Sequence, residues 1–317
     1  MINNVIKAVL ISFSISVIMC PVLIPFLRRL KFGQYIRNEG PKEHLKKSGT
    51  PTMGGLVILC SIVITSLMYI DDNNKIIPVL FMTLGFGLIG FLDDYIKVVM
   101  KRSMGLTPIQ KLSLQLVVTT VFAIYIYHNN EDMYLHVPFF EGVVIDIGYI
   151  YIPLLYVVVI GTVNGANFTD GLDGLVSGVT IMIAVFFTVI GIVNNSGTEP
   201  ISAAVAGSLL GFILYNSYPA SIFMGDTGSL ALGGFVASMA YMLNMPLILM
   251  LVALVYVIEV LSVIIQVTYF KITNGNRIFK MAPIHHHLEM CGWSETRIVT
   301  VFSTITAILC IIGYLAI

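Results

Sequence analysis

Repeated apolar segments of about 20 residues, the length that crosses a bilayer as a helix, constrain this chain more than any other feature. Of its 317 residues, 57% are hydrophobic and only 11% are charged, whereas soluble domains carry about 25% charged residues. Only helices and closed barrels satisfy their backbone hydrogen bonds inside lipid. The sequence therefore predicts an all-α polytopic membrane protein, in which residues 1–317 form one integral-membrane domain.

The apolar segments predict about ten transmembrane helices. The first helix is expected to be retained, because its apolar run continues past Pro21 to Arg28 and Arg29 without a small-residue cleavage site. The ninth is long enough to tilt, bend or extend beyond the bilayer. The predicted spans are roughly residues 5–27, 53–70, 76–92, 112–127, 151–163, 175–193, 200–216, 228–244, 246–270 and 298–317.

Basic residues predict the orientation, because loops rich in Lys and Arg remain in the cytoplasm. All of the 17 Lys and Arg residues except Lys7 and Lys75 fall in the loops after the first, third and ninth predicted helices. Both termini are therefore expected outside the cytoplasm, with the loops after odd-numbered helices inside. The outer segment 128–150 alternates in polarity and is β-branched, which predicts a short β-hairpin.

Aspartates beside the predicted cytoplasmic loops are the candidate catalytic residues. Carboxylates are costly in membrane segments and usually mark function there. Brought together beside lysines and glycine-rich turns, they suit a divalent cation and phosphates. Each motif alone also has a structural interpretation, as a solvated helix end, a polar turn or a helix cap. The motifs are GFLDDYIKV (90–98), NGANFTDGLDGL (164–175) and NSYPASIFMGDTGSL (216–230).

Three adjacent histidines, His285, His286 and His287, stand in the segment 277–293. Neighbours on one element do not point at one metal ion, and their spacing differs from that of a zinc-binding helix. We expect them to donate hydrogen bonds to phosphate oxygens. The basic segment 41–55 is expected to contact either anionic lipid headgroups or a substrate phosphate.

Composition argues against several other functions. The formal net charge is zero, so nothing indicates nucleic-acid binding. The four cysteines form no CxxC pair. An ion-coupled transporter is the alternative from another class, since intramembrane acids also serve transport. However, the chain has no internal repeat, and its acids are predicted at one face instead of the midplane.

Taken together, five motifs in this order closely resemble the phospho-N-acetylmuramoyl-pentapeptide transferase (MraY) family. This family belongs to the polyprenyl-phosphate N-acetylhexosamine-1-phosphate transferase superfamily. The first and last motifs favour it over WecA-like transferases that use UDP-GlcNAc. The motifs are GTPTMGG (49–55), LDDYIKV (92–98), NFTDGLDGL (167–175), FMGDTGSL (223–230) and MAPIHHHLE (281–289).

The resemblance implies a reaction and a setting. Phospho-MurNAc-pentapeptide is transferred from UDP-MurNAc-pentapeptide to undecaprenyl phosphate, with magnesium (Mg²⁺) as cofactor, giving lipid I and UMP. This is the first membrane step of peptidoglycan synthesis, in the bacterial cytoplasmic (inner) membrane. The family fold has ten transmembrane helices and a cytoplasmic catalytic cleft, usually in a homodimer. Direct attack by the lipid phosphate is favoured over an aspartyl-phosphate intermediate, although both need the same residue types.

The resemblance also implies roles for individual residues. Asp226 is the expected Mg²⁺ ligand, and Asp93 is the expected acceptor of the lipid phosphate proton. Glu259, inside the ninth helix, is expected as a further residue of the groove, without an assigned role. The catalytic set implied is Asp93, Asp94, Asp226, Asn167, Asp170 and His286. The substrate-binding set implied is Lys47, Thr52, Gly171, Leu172, Asp173, Asn216, Phe223, Gln266, His285 and His287.

Within the substrate-binding set, the resemblance places a uridine pocket between two parts of the chain. Asp173 and the backbone would meet the uracil edge, and Phe223 would stack on the base. The histidines would contact phosphate or sugar. The pocket residues implied are Lys47, Gly171, Leu172, Asp173 and Phe223.

Overall fold

The computed structural model describes residues 1–30, 49–71, 73–98, 100, 105–129, 133–140 and 142–317, and these are predominantly helical. Eleven of the twelve described α-helices fall on the ten predicted spans, because α9 and α10 share the ninth span, and the short α11 is additional. The helices are α1 (Ile2–Arg29), α2 (Gly55–Leu67), α3 (Ile76–Val98), α4 (Pro108–Asn129), α5 (Tyr151–Thr169), α6 (Leu175–Val193), α7 (Glu199–Asn216), α8 (Gly225–Met242), α9 (Leu249–Val252), α10 (Leu254–Ile272), α11 (Ile284–Met290) and α12 (Glu295–Leu315).

Seven helical segments in the described chain are long and apolar enough to cross a membrane. This supports a polytopic membrane protein, while the full count of ten spans and the position of the termini stay predictions. α2 is apolar but has only 13 residues. The seven segments are Ile2–Arg29, Ile76–Val98, Pro108–Asn129, Gly148–Thr169, Leu175–Val193, Leu254–Ile272 and Glu295–Leu315.

Helices α6, α7 and α8 form the buried centre of the bundle. Most side chains of these three helices are buried on every face, as expected for helices surrounded by other helices. α8 packs on α3 and α5, while α7 packs on α1 and α6. The arrangement holds the start of α8, which carries Asp226, against the last turns of α3.

Glycines allow these helices to approach closely. A Cβ atom on Gly90 of α3 would overlap the backbone carbonyl of Asp226, and one on Gly55 of α2 would overlap the backbone of Gly228 in α8. Only glycine fits where two backbones touch. The α2, α3 and α8 helices therefore meet around the N-terminus of α8.

Three boundaries differ from the predicted spans. α3 continues to Val98, so Asp93 and Asp94 lie within its last turns and not after its end. α5 continues to Thr169, which places Asn167 on a helix where a loop was expected. The ninth span breaks at Ala253, so that α9 and α10 replace one long helix. Polar residues at a helix end can continue the helix where tertiary partners satisfy them, which the apolar pattern does not reveal.

The predicted outer β-hairpin is present and small. Strand β1 (Tyr134–His136) pairs antiparallel with β2 (Val144–Asp146), with Leu135 opposite Ile145. The backbone N–H of Phe139, in the loop between the strands, donates to the carbonyl of Ala316 at 2.8 Å. The hairpin is thereby attached to the end of α12.

Candidate active site

Three carboxylates from two helices form one acidic cluster. Asp93 and Asp94 come from α3 and Asp226 from α8, and one carboxylate oxygen from each lies within 4.8 Å of the others. Asp93 and Asp94 are buried, and Asp226 is partly buried. The close contact at Gly90, one helical turn before Asp94, brings the two helices together here.

Asp94 connects the end of α3 to the start of α8. Its Oδ2 accepts hydrogen bonds from the N–H of Thr227 at 2.9 Å and from the Thr227 hydroxyl at 2.6 Å, and its Oδ1 accepts from the N–H of Asp226 at 3.2 Å. Helix N-termini leave backbone donors unpaired and favour negative charge. Asp94 therefore caps α8 from another helix and fixes the backbone that carries Asp226.

Asp226 has two lysine partners and one amide partner. The ammonium groups of Lys97 and Lys111 lie 3.1 Å and 2.9 Å from its Oδ2. The side-chain amide of Asn167 donates to its Oδ1 at 2.9 Å and to Ser229 Oγ at 2.9 Å. Lys97 also pairs with Asp93. Helices α3, α4, α5 and α8 thus each contribute a side chain to one charged site.

The acidic cluster fits a metal ion by its donor set. All three groups are carboxylates, the hard oxygen ligands that divalent cations such as Mg²⁺ and Ca²⁺ prefer. These three carboxylates therefore could hold a metal ion between α3 and α8.

Asp170 lies beside the cluster at the end of α5. The backbone N–H of Gly225 donates a hydrogen bond to its carboxylate. Burial, followed by the negative charges of Asp226 and Asp94, raises the pKa of Asp170 well above its usual range. Gly225 has a φ of +74°, a backbone conformation that favours glycine. Asp170, like Asp94, is thus joined to the N-terminus of α8.

We call residues 170–174, between α5 and α6, the Asp-Gly turn. Leu172 and Asp173 are buried, and Asp173 Oδ2 accepts a hydrogen bond from the N–H of Ala220 at 3.0 Å. Gly174, at φ +81°, is the N-cap residue of α6. The turn is therefore fixed to the segment 217–224, which carries the half-buried Phe223.

Two segments that are distant in sequence pair beside this turn. The N–H of Phe223 donates to the carbonyl of Pro51 at 2.8 Å, and the N–H of Gly54 donates to the carbonyl of Phe223 at 2.9 Å. Thr52 is buried between them, with its hydroxyl near Gly225. The PTMGG motif thus contacts the start of α8. Lys47, the remaining candidate of this region, lies outside the described residues.

Asn216 and Gln266 are buried, and their side chains form hydrogen bonds with backbone groups. The Asn216 amide donates to the carbonyl of Ile222 at 3.0 Å, which shapes the segment before α8. Gln266 Oε1 accepts from the N–H groups of Ile278 and Phe279, and its Nε2 donates to the Phe279 carbonyl at 3.0 Å. In this arrangement, Gln266 attaches the segment that leads to the histidines to α10.

The three histidines lie on α11 and have different surroundings. His285 is fully buried, with Nδ1 3.1 Å from Oε1 of Glu259 on α10. His286 Nδ1 lies 2.6 Å from Glu289 Oε2. His287 Nδ1 accepts from the N–H of Lys280 at 3.1 Å. His286 and His287 are partly exposed and therefore remain accessible to a ligand, whereas His285 is enclosed by protein.

The structure brings most of the sequence candidates together around the α8 N-terminus and adds Lys111 and Thr227, which sequence reasoning did not select. In the sequence, Lys111 is recognisable only as one basic residue of a predicted loop. The sequence feature that could have identified Lys111 is its position one turn into the mostly apolar helix α4. A charged side chain in such a helix needs a partner. The sequence could not identify that partner as Asp226, 115 positions away.

Comparisons with known proteins give consistent matches. The model of glycosyl transferase family 4 matches residues 76–244, and signature 1 of the phospho-N-acetylmuramoyl-pentapeptide-transferases matches residues 47–59. A protein of that name from Acetivibrio thermocellus is 50% identical over 97% of this chain and 93% of its own length. One from Clostridium botulinum (strain Eklund 17B) is 50% identical over 99% and 96%, and one from Halalkalibacterium halodurans is 51% identical over 93% and 92%.

Proposed function

The chain belongs to the phospho-N-acetylmuramoyl-pentapeptide-transferase family, and we propose that it transfers phospho-MurNAc-pentapeptide from UDP-MurNAc-pentapeptide to undecaprenyl phosphate. The products are lipid I and UMP. The observation that carries the proposal is the acidic cluster of Asp93, Asp94 and Asp226 with Lys97 and Lys111 beside it. Such a site suits the transfer of a phosphoryl group between two anionic substrates.

The bonds that change define what the site must do. An oxygen of the lipid phosphate attacks the phosphorus attached to MurNAc, and the bond from that phosphorus to the bridging oxygen of UMP breaks. Negative charge then accumulates on UMP, and the attacking phosphate loses any remaining proton. The chain must therefore position two phosphates, neutralise charge and accept a proton.

The cofactor in this proposal is Mg²⁺, held by Asp226 with help from the neighbouring carboxylates. When bound, it would neutralise the diphosphate of the donor and the charge that develops on UMP. Lys97 and Lys111 hold Asp226 in place, and their ammonium groups can shift to substrate phosphates. Asp94 is occupied by Thr227 and the α8 backbone, which suits a positioning role.

Asp93 is the candidate for accepting the proton of the lipid phosphate. Its Oδ1 accepts a hydrogen bond from the N–H of Leu106 at 2.7 Å, while its Oδ2 pairs with Lys97. A phosphate monoester is mostly a dianion near pH 7, so little deprotonation is needed. We favour direct attack over an aspartyl-phosphate intermediate, because a ready anion with a metal ion leaves less need for a covalent step.

The donor binds, in this proposal, between the Asp-Gly turn and Phe223. The backbone of Gly171 and Leu172 with Asp173 would meet the uracil edge, and Phe223 would stack on the base. Lys47, Thr52, His286 and His287 would reach the phosphates or the sugar. We place the site on the cytoplasmic face of the inner membrane, because the basic loops predict that side, and expect a homodimer.

Purified protein in detergent, given UDP-MurNAc-pentapeptide, undecaprenyl phosphate and Mg²⁺, should release UMP. Chelation by EDTA should stop the release, and added Mg²⁺ should restore it. UDP-GlcNAc as the donor should give none. Release only with UDP-GlcNAc would move the protein to the WecA-like transferases, and no release from folded protein would contradict the proposal.

Lys111→Met should lower kcat/KM for UMP release by about 10- to 100-fold, the usual cost of losing a group that orients a metal ligand. The reason is that the Lys111 ammonium group lies 2.9 Å from Asp226 and 3.4 Å from Asn167 Oδ1. Lys75→Met, at an exposed lysine outside the site, is the matched control. Equal activity of the two variants would rule out a role for Lys111 in this site.

A further inference from the structure

Glu259 and His285 form a buried pair outside the acidic cluster. Both side chains have 0% exposure, and Nδ1 of His285 lies 3.1 Å from Oε1 of Glu259. Apart from this ion-pair contact, the two carboxylate oxygens and the two ring nitrogens have no hydrogen-bonding partner among the described residues. Burying such groups is costly unless they compensate each other. The pair therefore joins α11 to α10 at one defined point.

The other edge of the His285 ring faces the Asp-Gly turn. A Cβ atom on Gly171 would overlap Nε2 and Cε1 of His285. Gly171 directly follows Asp170, which accepts a hydrogen bond from the start of α8, and precedes the buried Leu172 and Asp173. The imidazole thus lies between Glu259 and the backbone of this turn, with one nitrogen toward each.

We propose that Glu259 is a positioning residue that acts through His285 to set the Asp-Gly turn in its place for the uridine diphosphate donor. The inference rests on the proposed function, in which this turn binds the uracil. It assigns His285 to the turn and leaves His286 and His287, which are partly exposed, for the phosphate or sugar. Glu259 would touch no substrate and would affect donor binding through one side chain.

The contact at Gly171 supplies a compensation test. Gly171→Ala should raise the KM for the donor by about 10²-fold, because misplacement of a binding element by about 1 Å has effects of this size. In the double variant Gly171→Ala with His285→Asn, the shorter side chain leaves room for the added methyl group. Its KM should return to that of His285→Asn alone.

Conservative variants separate positioning from direct contact with substrate. An asparagine amide can occupy the place of Nδ1 and donate to Glu259, whereas a glutamine amide reaches the place of Nε2. His285→Asn should therefore keep a lower donor KM than His285→Gln, and Glu259→Gln a lower one than Glu259→Ala. The readouts are kcat and donor KM from UMP release, and UMP affinity by calorimetry. Thermal unfolding in detergent reports whether each variant is folded.

If the double variant is as impaired as Gly171→Ala, or if His285→Asn and His285→Gln both lose kcat with the donor KM unchanged, the ring acts on substrate directly. If Gly171→Ala does not fold, the test is the UMP affinity of Glu259→Gln compared with that of Glu259→Ala. Equal affinities of these two variants would overturn the inference. A wild-type protein that neither releases nor binds UMP would instead remove the proposed function, and this inference with it.

Discussion

Asp226→Asn is expected to lower the rate of UMP release by about 10³-fold or more. Asp226 is the residue on which the site converges, since Lys97, Lys111 and Asn167 all contact its carboxylate. Metal-assisted charge stabilisation is worth several kcal/mol, and a loss of about 4 kcal/mol corresponds to about 10³ in rate. Asparagine keeps the shape and one oxygen but removes the negative charge that a cation needs.

The same variant should lose metal binding without substrates present. Mn²⁺ in place of Mg²⁺ can be followed by electron paramagnetic resonance on the purified protein, as a readout that does not depend on turnover. Asp71→Asn, at an exposed carboxylate outside the cluster, is the matched control and should change neither activity nor metal binding. Wild-type activity of Asp226→Asn in folded protein would contradict the assignment of Asp226 as the metal ligand.

Gly90→Ala should have the second largest effect, although residue 90 has no chemistry of its own. An added Cβ would overlap the backbone of Asp226, and backbone cannot move aside as a flexible side chain can. Overpacking at such a contact costs about 1–3 kcal/mol of the free energy of unfolding. Separating α3 from α8 also moves Asp93 and Asp94 away from Asp226, for which we expect about a 10²-fold lower kcat/KM.

Gly161→Ala is the control for this substitution. Gly161 also lies within a helix, α5, but a Cβ there meets nothing within 4 Å among the described residues. Thermal unfolding in detergent and the rate of UMP release should both stay at wild-type values in this variant. If Gly90→Ala behaves like Gly161→Ala, the contact of α3 with α8 does not set the geometry of the acidic cluster.

Much of the helical framework could be predicted from the sequence, because it depends on local composition. Apolar runs located ten helices to within several residues, and alternating polarity located the hairpin. The predicted ends of two helices were wrong because polar residues extend them, to Val98 in α3 and to Thr169 in α5. These last turns are satisfied by distant partners, such as Ser229 and Asp226 for Asn167, which no local pattern contains.

The sequence motifs named most of the residues that meet at the candidate site, but they predicted only part of how those residues are arranged. Motifs identified the aspartates, because clustered acids and glycines in an apolar chain are costly without a function. They did not reveal that Asp94 caps α8 or that Lys111 reaches Asp226. His285 was expected at the substrate, yet its ring is enclosed between Glu259 and Gly171. Three adjacent histidines look equivalent in sequence until the faces of their helix are known.

By itself, therefore, the sequence determined which segments are helical and apolar and which side chains could carry chemistry, since both follow from residue types and their spacing. Only the tertiary structure decided which helix faces meet. That choice depends on close backbone contacts between distant segments, at Gly90 with Asp226 and at Gly55 with Gly228. These contacts, through packing of whole helices, turn separate aspartates into one acidic cluster.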